Sequence, residues 1–348
     1  IGKKDEVYLQ IETEPHIARE LSEYFTFEVP GAKFMPAYRN KVWDGKIRLY
    51  SIATGQIYLG LLPYIREFCK RNDIQYELLY DNRHGNIDEE HINSFIQQLN
   101  LPHKARDYQI SSVLYCARKC RGLLISPTAS GKSLVIYILT RYYHSQNNKT
   151  LILVPTTSLV EQMYSDFISY GWTDDFIQKI YQGHDKVISK DVVVSTWQSI
   201  YKMPKKYFEE FGCVINCKYR FGLAGTLDDT QTHKLVLEGL FGTANKIVST
   251  KELIDKKTLS NLKIDSLVLS YSDAECKLNK DFKYADELDF IVTHDKRLNF
   301  TKNLVSTIKG NTLILFQFVE KHGVPLFNLI QNELKDRKVF FVFGGVSA

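Results

Sequence analysis
The spacing of apolar residues changes along the chain, and each change marks a region. Lys33 to Tyr50 alternates around Asp44-Gly45, which reads as a tight hairpin turn. Leu61 to Asn72 carries apolar residues at helical spacing, and Gln75 to Tyr80 reads as a further strand. These elements predict a small α+β domain over residues 1–86. A helix from Asp88 to Leu99, closed by Pro102, predicts a helical linker over 87–103.

From residue 104 the pattern becomes short continuous apolar runs alternating with helices. A helix over Tyr108 to Cys120 leads into the strand Gly122 to Ser126, and a helix over Lys132 to Tyr143 follows. Leu151 to Val154 and Asp191 to Ser195 read as two more strands, with a helix from Ser158 to Tyr170 between them and Ser158 as its cap. Strands without polar alternation are buried on both faces, which predicts an α/β fold with a parallel sheet covered by helices. That lobe is expected over 104–262. Thr312 to Phe316 with the helix after it predicts the start of a second such lobe, incomplete, over 263–348.

Composition adds exclusions. With 44% hydrophobic and 24% charged residues in 348, the chain is globular rather than disordered or fibrous, and no apolar run is long enough for a membrane helix. The six cysteines form no Cys-x-x-Cys pair, so buried free thiols are expected rather than structural zinc. Free thiols point to a reducing, cytoplasmic setting. The chain opens at Ile1 with no signal sequence, so a natural start upstream is expected.

The net charge of +5 is mild, but it is unevenly placed. Residues 31–50 carry Lys33, Arg39, Lys41, Lys46 and Arg48 against Asp44 alone, while residues 1–30 are acidic. Tyr38, Trp43 and Tyr50 are interleaved with the cations. Cations pair with phosphates and aromatic rings stack on unpaired bases, so Lys33, Tyr38, Arg39, Lys41, Trp43, Lys46 and Arg48 form a candidate nucleic-acid surface.

The sharpest chemistry is Ser126-Pro127-Thr128-Ala129-Ser130-Gly131-Lys132-Ser133, set between a strand and a helix. Such a loop turns backbone N–H groups onto phosphates, with Lys132 for the β/γ oxygens and the Ser133 hydroxyl for Mg²⁺. Thr128, Ala129, Ser130, Gly131, Lys132 and Ser133 are therefore candidate ATP contacts. Ser126 stands where the strict pattern has Gly.

The neighbouring motifs resemble superfamily-two helicases. Arg106-Asp107-Tyr108-Gln109 is similar to that superfamily's Gln motif, in which the Gln109 amide would read the adenine edge with Arg106 nearby. Leu153 to Gln162 resembles the motif holding the DNA backbone, which implies roles for Thr156 and Thr157. Val194 to Ser199 resembles the next, implying Thr196 and Gln198. Phe221 to Leu227 resembles the third motif, implying that Gly225 and Thr226 couple hydrolysis to DNA. The opening of the second lobe implies Phe316. The run as a whole resembles most closely the UvsW-type recombination helicases of tailed phages. That resemblance implies two RecA-like lobes, ATP and Mg²⁺, and branched or single-stranded DNA or RNA–DNA hybrids as partners. It also implies unwinding in recombination, replication and repair, possible strand annealing, and host-cell cytoplasm as the location, and a monomer is expected.

The pattern is incomplete. The Asp-Glu-x-His box expected after Gly212 to Asn216 is replaced by Cys217-Lys218-Tyr219-Arg220, which runs straight into the third motif. Two parallel strands need a crossover of about a dozen residues or more, so a segment is expected to be missing between Asn216 and Cys217. Nor does the sequence contain the family's late arginine fingers. As written, the chain would bind ATP and hydrolyse it poorly. Two other readings stay open: a DNA-binding or annealing module with an inactive ATPase, and the motor subunit of a restriction system.

Overall fold
A computed structural model of the protein describes residues 1–80, 87–212, 219–227, 231–261 and 263–344. Two compact units are present, residues 1–261 and 262–348. Among the described residues, no helix is long and apolar enough to cross a membrane.

The N-terminal part of the first unit runs β1 (Gly2–Lys3), β2 (Tyr8–Gln10), α1 (Pro15–Tyr24), β3 (Thr26–Glu28), α2 (Pro36–Arg39), β4 (Lys46–Arg48), β5 (Tyr50–Ser51), β6 (Gln56–Tyr58) and α3 (Leu62–Arg71). An antiparallel sheet in the order β1-β2-β6-β5 packs its buried residues, Leu9 and Ile57 among them, against Leu21, Phe25, Ile65 and Phe68 of the helical side. Two expectations are corrected here. Asp44-Gly45 does not join adjacent strands, because β4 pairs antiparallel with β3 and residues 29–45 between them form an excursion holding α2. Residues 75–80 are not a strand. Their backbone only exchanges hydrogen bonds with Ile1, whose amino group donates to the Glu77 carbonyl at 2.8 Å while Leu79 N–H donates back at 2.9 Å.

The rest of the unit alternates helices and strands: α4 (Glu89–Gln98), α5 (Asp107–Lys119), β7 (Arg121–Ile125), α6 (Lys132–His144), β8 (Thr150–Val154), α7 (Thr157–Ser169), β9 (Ile177–Ile180), β10 (Val192–Thr196), α8 (Trp197–Ile200), α9 (Lys205–Glu209), β11 (Arg220–Ala224), α10 (Gln231–Phe241), β12 (Ala244–Lys246) and α11 (Thr250–Asp255). The strands form two parallel groups, β8-β10-β9 and β11-β7-β12. Val192, Val193 and Val194 are fully buried, as a strand covered on both faces requires. Tyr137 and Phe167 hold α6 against α7, their rings edge-on at 5.2 Å, with Trp172 packed on both.

The N-terminal domain is clasped to this lobe. Gly60 meets α10 so closely that a Cβ there would lie 2.1 Å from the Glu238 carbonyl oxygen, which only glycine avoids. Tyr64 donates its hydroxyl to the Glu238 carboxylate, which is 1% exposed and also accepts the Ala244 N–H at 2.8 Å. Burial, and then that carboxylate, push the Tyr64 phenol well above its ordinary pKa. The paired first residues of β7 and β11, Arg121 and Arg220, are both buried, and both donate to the Glu6 carbonyl. Arg121 also reaches the Glu6 carboxylate at 3.2 Å.

The second unit holds α12 (Asp273–Leu278), α13 (Tyr284–Thr293), α14 (Asp295–Thr307) and α15 (Val324–Glu333). Its small core joins Leu298, Val305, Leu326 and Ile330. Thr312 to Phe316 is not a strand. Ile314 and Phe316 are half-buried while Leu313 and Leu315 are exposed, and no ladder partner flanks them among the described residues. Phe316 stacks on Phe341 at 5.1 Å within this unit.

Candidate nucleotide site and nucleic-acid surface
The phosphate loop leaves β7 at Ile125 and enters α6 at Lys132. Ala129 and Gly131 take left-handed backbone angles, φ 64° and 78°, which turn the loop back over the helix start. Ser126 has a reason to replace glycine. Its buried hydroxyl donates to Ser130 Oγ at 2.6 Å and braces the two ends of the loop. The loop is then tied to α5. Tyr108 donates its hydroxyl to the Ser130 carbonyl at 2.9 Å, and Gln109 Nε2 donates to the Ser130 and Gly131 carbonyls at 3.1 and 3.3 Å. A Cβ on Gly131 would lie 2.4 Å from that amide nitrogen, so the close approach needs glycine.

Lys132 folds back onto the Ser126 and Pro127 carbonyls at 3.0 and 2.9 Å, and burial holds its ammonium below the usual lysine range. Ser133 Oγ lies 3.0 Å from the Tyr170 hydroxyl. Thr128 and Ala129 are exposed at the loop tip. A cavity of about 350 Å³ opens beside the loop, lined by Arg106, Gln109, Ala129, Gly131, Leu134 and Tyr170 among others. Its size suits a nucleotide base. Gln109 reaches this cavity, but its amide is already committed: Oε1 accepts the Arg106 N–H at 2.9 Å and Nε2 holds the loop. Tyr108 and Tyr170 are the members the sequence did not single out, and Ser126, noted there only as a departure from glycine, gains its bracing role here. Tyr108 lies inside the Arg-Asp-Tyr-Gln run, whereas Tyr170 comes from the far end of α7 and carries no local signal.

Gly225 and Thr226 are exposed at the end of β11, whose neighbour in the sheet is β7. Ala224 holds Ser126 at 2.9 Å through its carbonyl, so the third-motif strand and the phosphate loop leave the sheet side by side. The box expected between Asn216 and Cys217 lies outside the described residues. Its flanks are described. Gly212 N–H donates to the Lys149 carbonyl just before β8, and Arg220 N–H donates to the Cys120 carbonyl just before β7. Both flanks thus stand at the starting edge of parallel strands. The letters Asp88-Glu89-Glu90-His91 do occur elsewhere, at the start of α4. There His91 faces Tyr142, ten residues down α6 from Lys132 and so about 15 Å along the helix. That tetrapeptide cannot serve the phosphate loop.

On the nucleic-acid side several residues differ from expectation. Arg48 pairs with Asp44 at 2.5 Å and Lys46 with Glu28 at 3.8 Å, so both charges are partly answered within the domain. The Trp43 indole donates to the Lys46 carbonyl at 2.8 Å, and Tyr50 is buried in the core. Lys33, Arg39, Lys41 and Tyr38 remain on the exposed excursion. In the lobe, Thr156 rather than Ser158 caps α7, accepting the Leu159 N–H at 3.3 Å, because the helix begins one residue earlier than Ser158. Thr157 and Gln198 are exposed. Thr196 is buried, and its hydroxyl lies 2.8 Å from Ser199 Oγ. Among the described residues no group of His, Cys, Asp and Glu is arranged to hold a metal, which leaves the Ser133 hydroxyl as the candidate Mg²⁺ ligand here.

Residues 2–81 match the family described as DNA helicase UvsW, N-terminal, and residues 86–216 match that described as Type III restriction enzyme, res subunit. The chain is 31% identical to the ATP-dependent DNA helicase uvsW of Enterobacteria phage T4, over 97% of this chain and 74% of that protein. Two crystal structures of UvsW from bacteriophage T4 are similar at 30% identity and TM-score 0.64. One covers 94% of this chain and 72% of its own, and the other 70% and 97%. The alignment with the phage T4 protein runs over 379 positions against 348 residues here, so at least 31 positions of that protein have no counterpart in this chain.

Proposed function
Since the chain belongs to the family of UvsW-type ATP-dependent DNA helicases, we propose that it couples ATP hydrolysis to the unwinding of branched DNA or RNA–DNA hybrids. The observation that carries the site assignment is the braced phosphate loop beside a base-sized cavity. Arg106 and Gln109 flank the base, residues 128–131 wrap the phosphates, and Lys132 leaves the Ser126 and Pro127 carbonyls to meet them. Ser133, whose hydroxyl lies 3.0 Å from that of Tyr170, would hold a Mg²⁺ ion, which would supply neutralisation of the phosphate charge. Gly225 and Thr226, side by side with the loop, relay the nucleotide state towards DNA. Thr156, Thr157, Thr196 and Gln198 mark the strand ends where the DNA backbone runs, and Phe316 is a separate candidate DNA contact within the second unit. Lys33, Tyr38, Arg39, Lys41 and Trp43 meet the branched substrate, with Lys46 and Arg48 as supporting charges.

Lys132→Ala tests this assignment: ATP-dependent unwinding should be lost while DNA binding persists. A variant that unwinds at the wild-type rate would overturn it.

A second reading, an annealing module with an inactive ATPase, draws on the missing box. We infer instead that the gene encodes a segment between Asn216 and Cys217. The res-subunit match ends at Asn216, and Gly212 is held beside Lys149 at the start of β8 while Arg220 already opens β11, leaving too few residues between them for a further strand and its crossover. Sequencing the coding DNA across these codons decides it. Contiguous codons would favour the inactive ATPase.

A further inference from the structure
We propose that Trp197 and Tyr201 form a stacking platform for an unpaired DNA base. Both rings stand out of the lobe, 51% and 50% exposed, although large aromatic side chains are normally covered. They are four residues apart on and just after α8, with centroids 5.9 Å apart and planes at 38°. Ile200, fully buried between them in sequence, pins the turn to the sheet, and the Thr196–Ser199 hydroxyl contact closes its start. The exposure is therefore built in rather than a fraying end.

Two observations select the occupant. The platform continues the edge assigned above to the DNA backbone. Thr196 pairs in register with Val154, so Trp197 stands beside the strand end that leads to Thr156 and Thr157. Cations lie beside the platform, with Lys202 5.5 Å from the Tyr201 ring centroid and Lys206 exposed nearby, while Lys205 is paired with Glu209 at 4.0 Å. Cations for phosphates beside aromatic faces for bases match single-stranded nucleic acid better than an apolar protein partner. The inference rests on the helicase reading of this edge. It adds that the lobe grips a base as well as the backbone, which favours the unpaired strand over the duplex.

The test measures binding of the full chain to oligo(dT) and to a blunt duplex of equal charge. Trp197→Ala should weaken oligo(dT) binding about fivefold to a hundredfold, the usual effect of removing one stacked ring, and change duplex binding less than twofold. In a Trp43→Phe background, which removes the other tryptophan assigned to DNA, Trp197→Phe should keep most of the affinity, but the emission quenched by oligo(dT) when Trp197 is present should no longer respond. Equal losses on both DNAs would assign Trp197 to folding or backbone contact and overturn the platform. So would unchanged oligo(dT) binding by Trp197→Ala. If the wild-type protein itself failed to bind oligo(dT), the helicase reading of this edge would fall with it.

Discussion
The clasp between the N-terminal domain and the ATPase lobe can be tested at one atom. Tyr64→Phe removes the hydroxyl that donates to Glu238 and leaves the ring in place. Glu238 is 1% exposed, so water cannot replace the lost donor, and among the described residues the carboxylate keeps the Ala244 N–H at 2.8 Å. A hydrogen bond to a buried charge contributes about 1.5–3 kcal/mol. In a unit of this size each kcal/mol moves the melting temperature by about 2–4 °C, so a fall of about 3–12 °C is expected in a calorimetric scan. Adding Glu238→Gln should recover part of the loss, because a neutral amide tolerates the missing donor better than a carboxylate does. A Tyr64→Phe protein that melts within about 1 °C of wild type would show that the clasp does not hold the domains together.

Other outcomes follow from the same residues. Replacing Lys33, Arg39 and Lys41 together with Gln should flatten the salt dependence of DNA binding by a log–log slope of about 2–3, whereas replacing Lys46 and Arg48, already paired with Glu28 and Asp44, should change it less. Because burial lowers the Lys132 pKa, ATP affinity should decline as pH rises through that lowered value, and a flat alkaline profile in titration calorimetry would contradict the role given to its charge. In the second unit, Ser272, then Lys296 and His294, hold Glu275 down to about 2. A lowered carboxylate pKa adds stability above the unfolded value near 4.5 that is lost as pH falls towards 2. Glu275→Gln should therefore flatten the acid limb of unfolding between those values.

Much of the lobe was legible because its strands are unbroken apolar runs, and β7, β8 and β10 fall where those runs predict. The phosphate loop was legible for the same reason, a Gly-Lys-Ser set between strand and helix. What stayed hidden depends on contacts between distant residues. Asp44-Gly45 has hairpin chemistry, but β4 finds its partner across the excursion at β3. Gln109 has the right identity for reading a base, yet its amide is tied to Arg106 and the loop. Arg48 counted as a free cation until its pairing with Asp44 placed it inside the domain's own charge balance. The clasp through Glu6, Tyr64 and Glu238 joins residues up to 214 positions apart, and no local pattern announces such a contact.

The most direct test is ATP turnover by the protein expressed from its own gene, measured with and without forked DNA and alongside strand separation. Turnover should rise on adding the fork, strands should part only when ATP is present, and both should vanish in Lys132→Ala. Turnover indifferent to DNA, or strand separation without ATP, would contradict the helicase assignment.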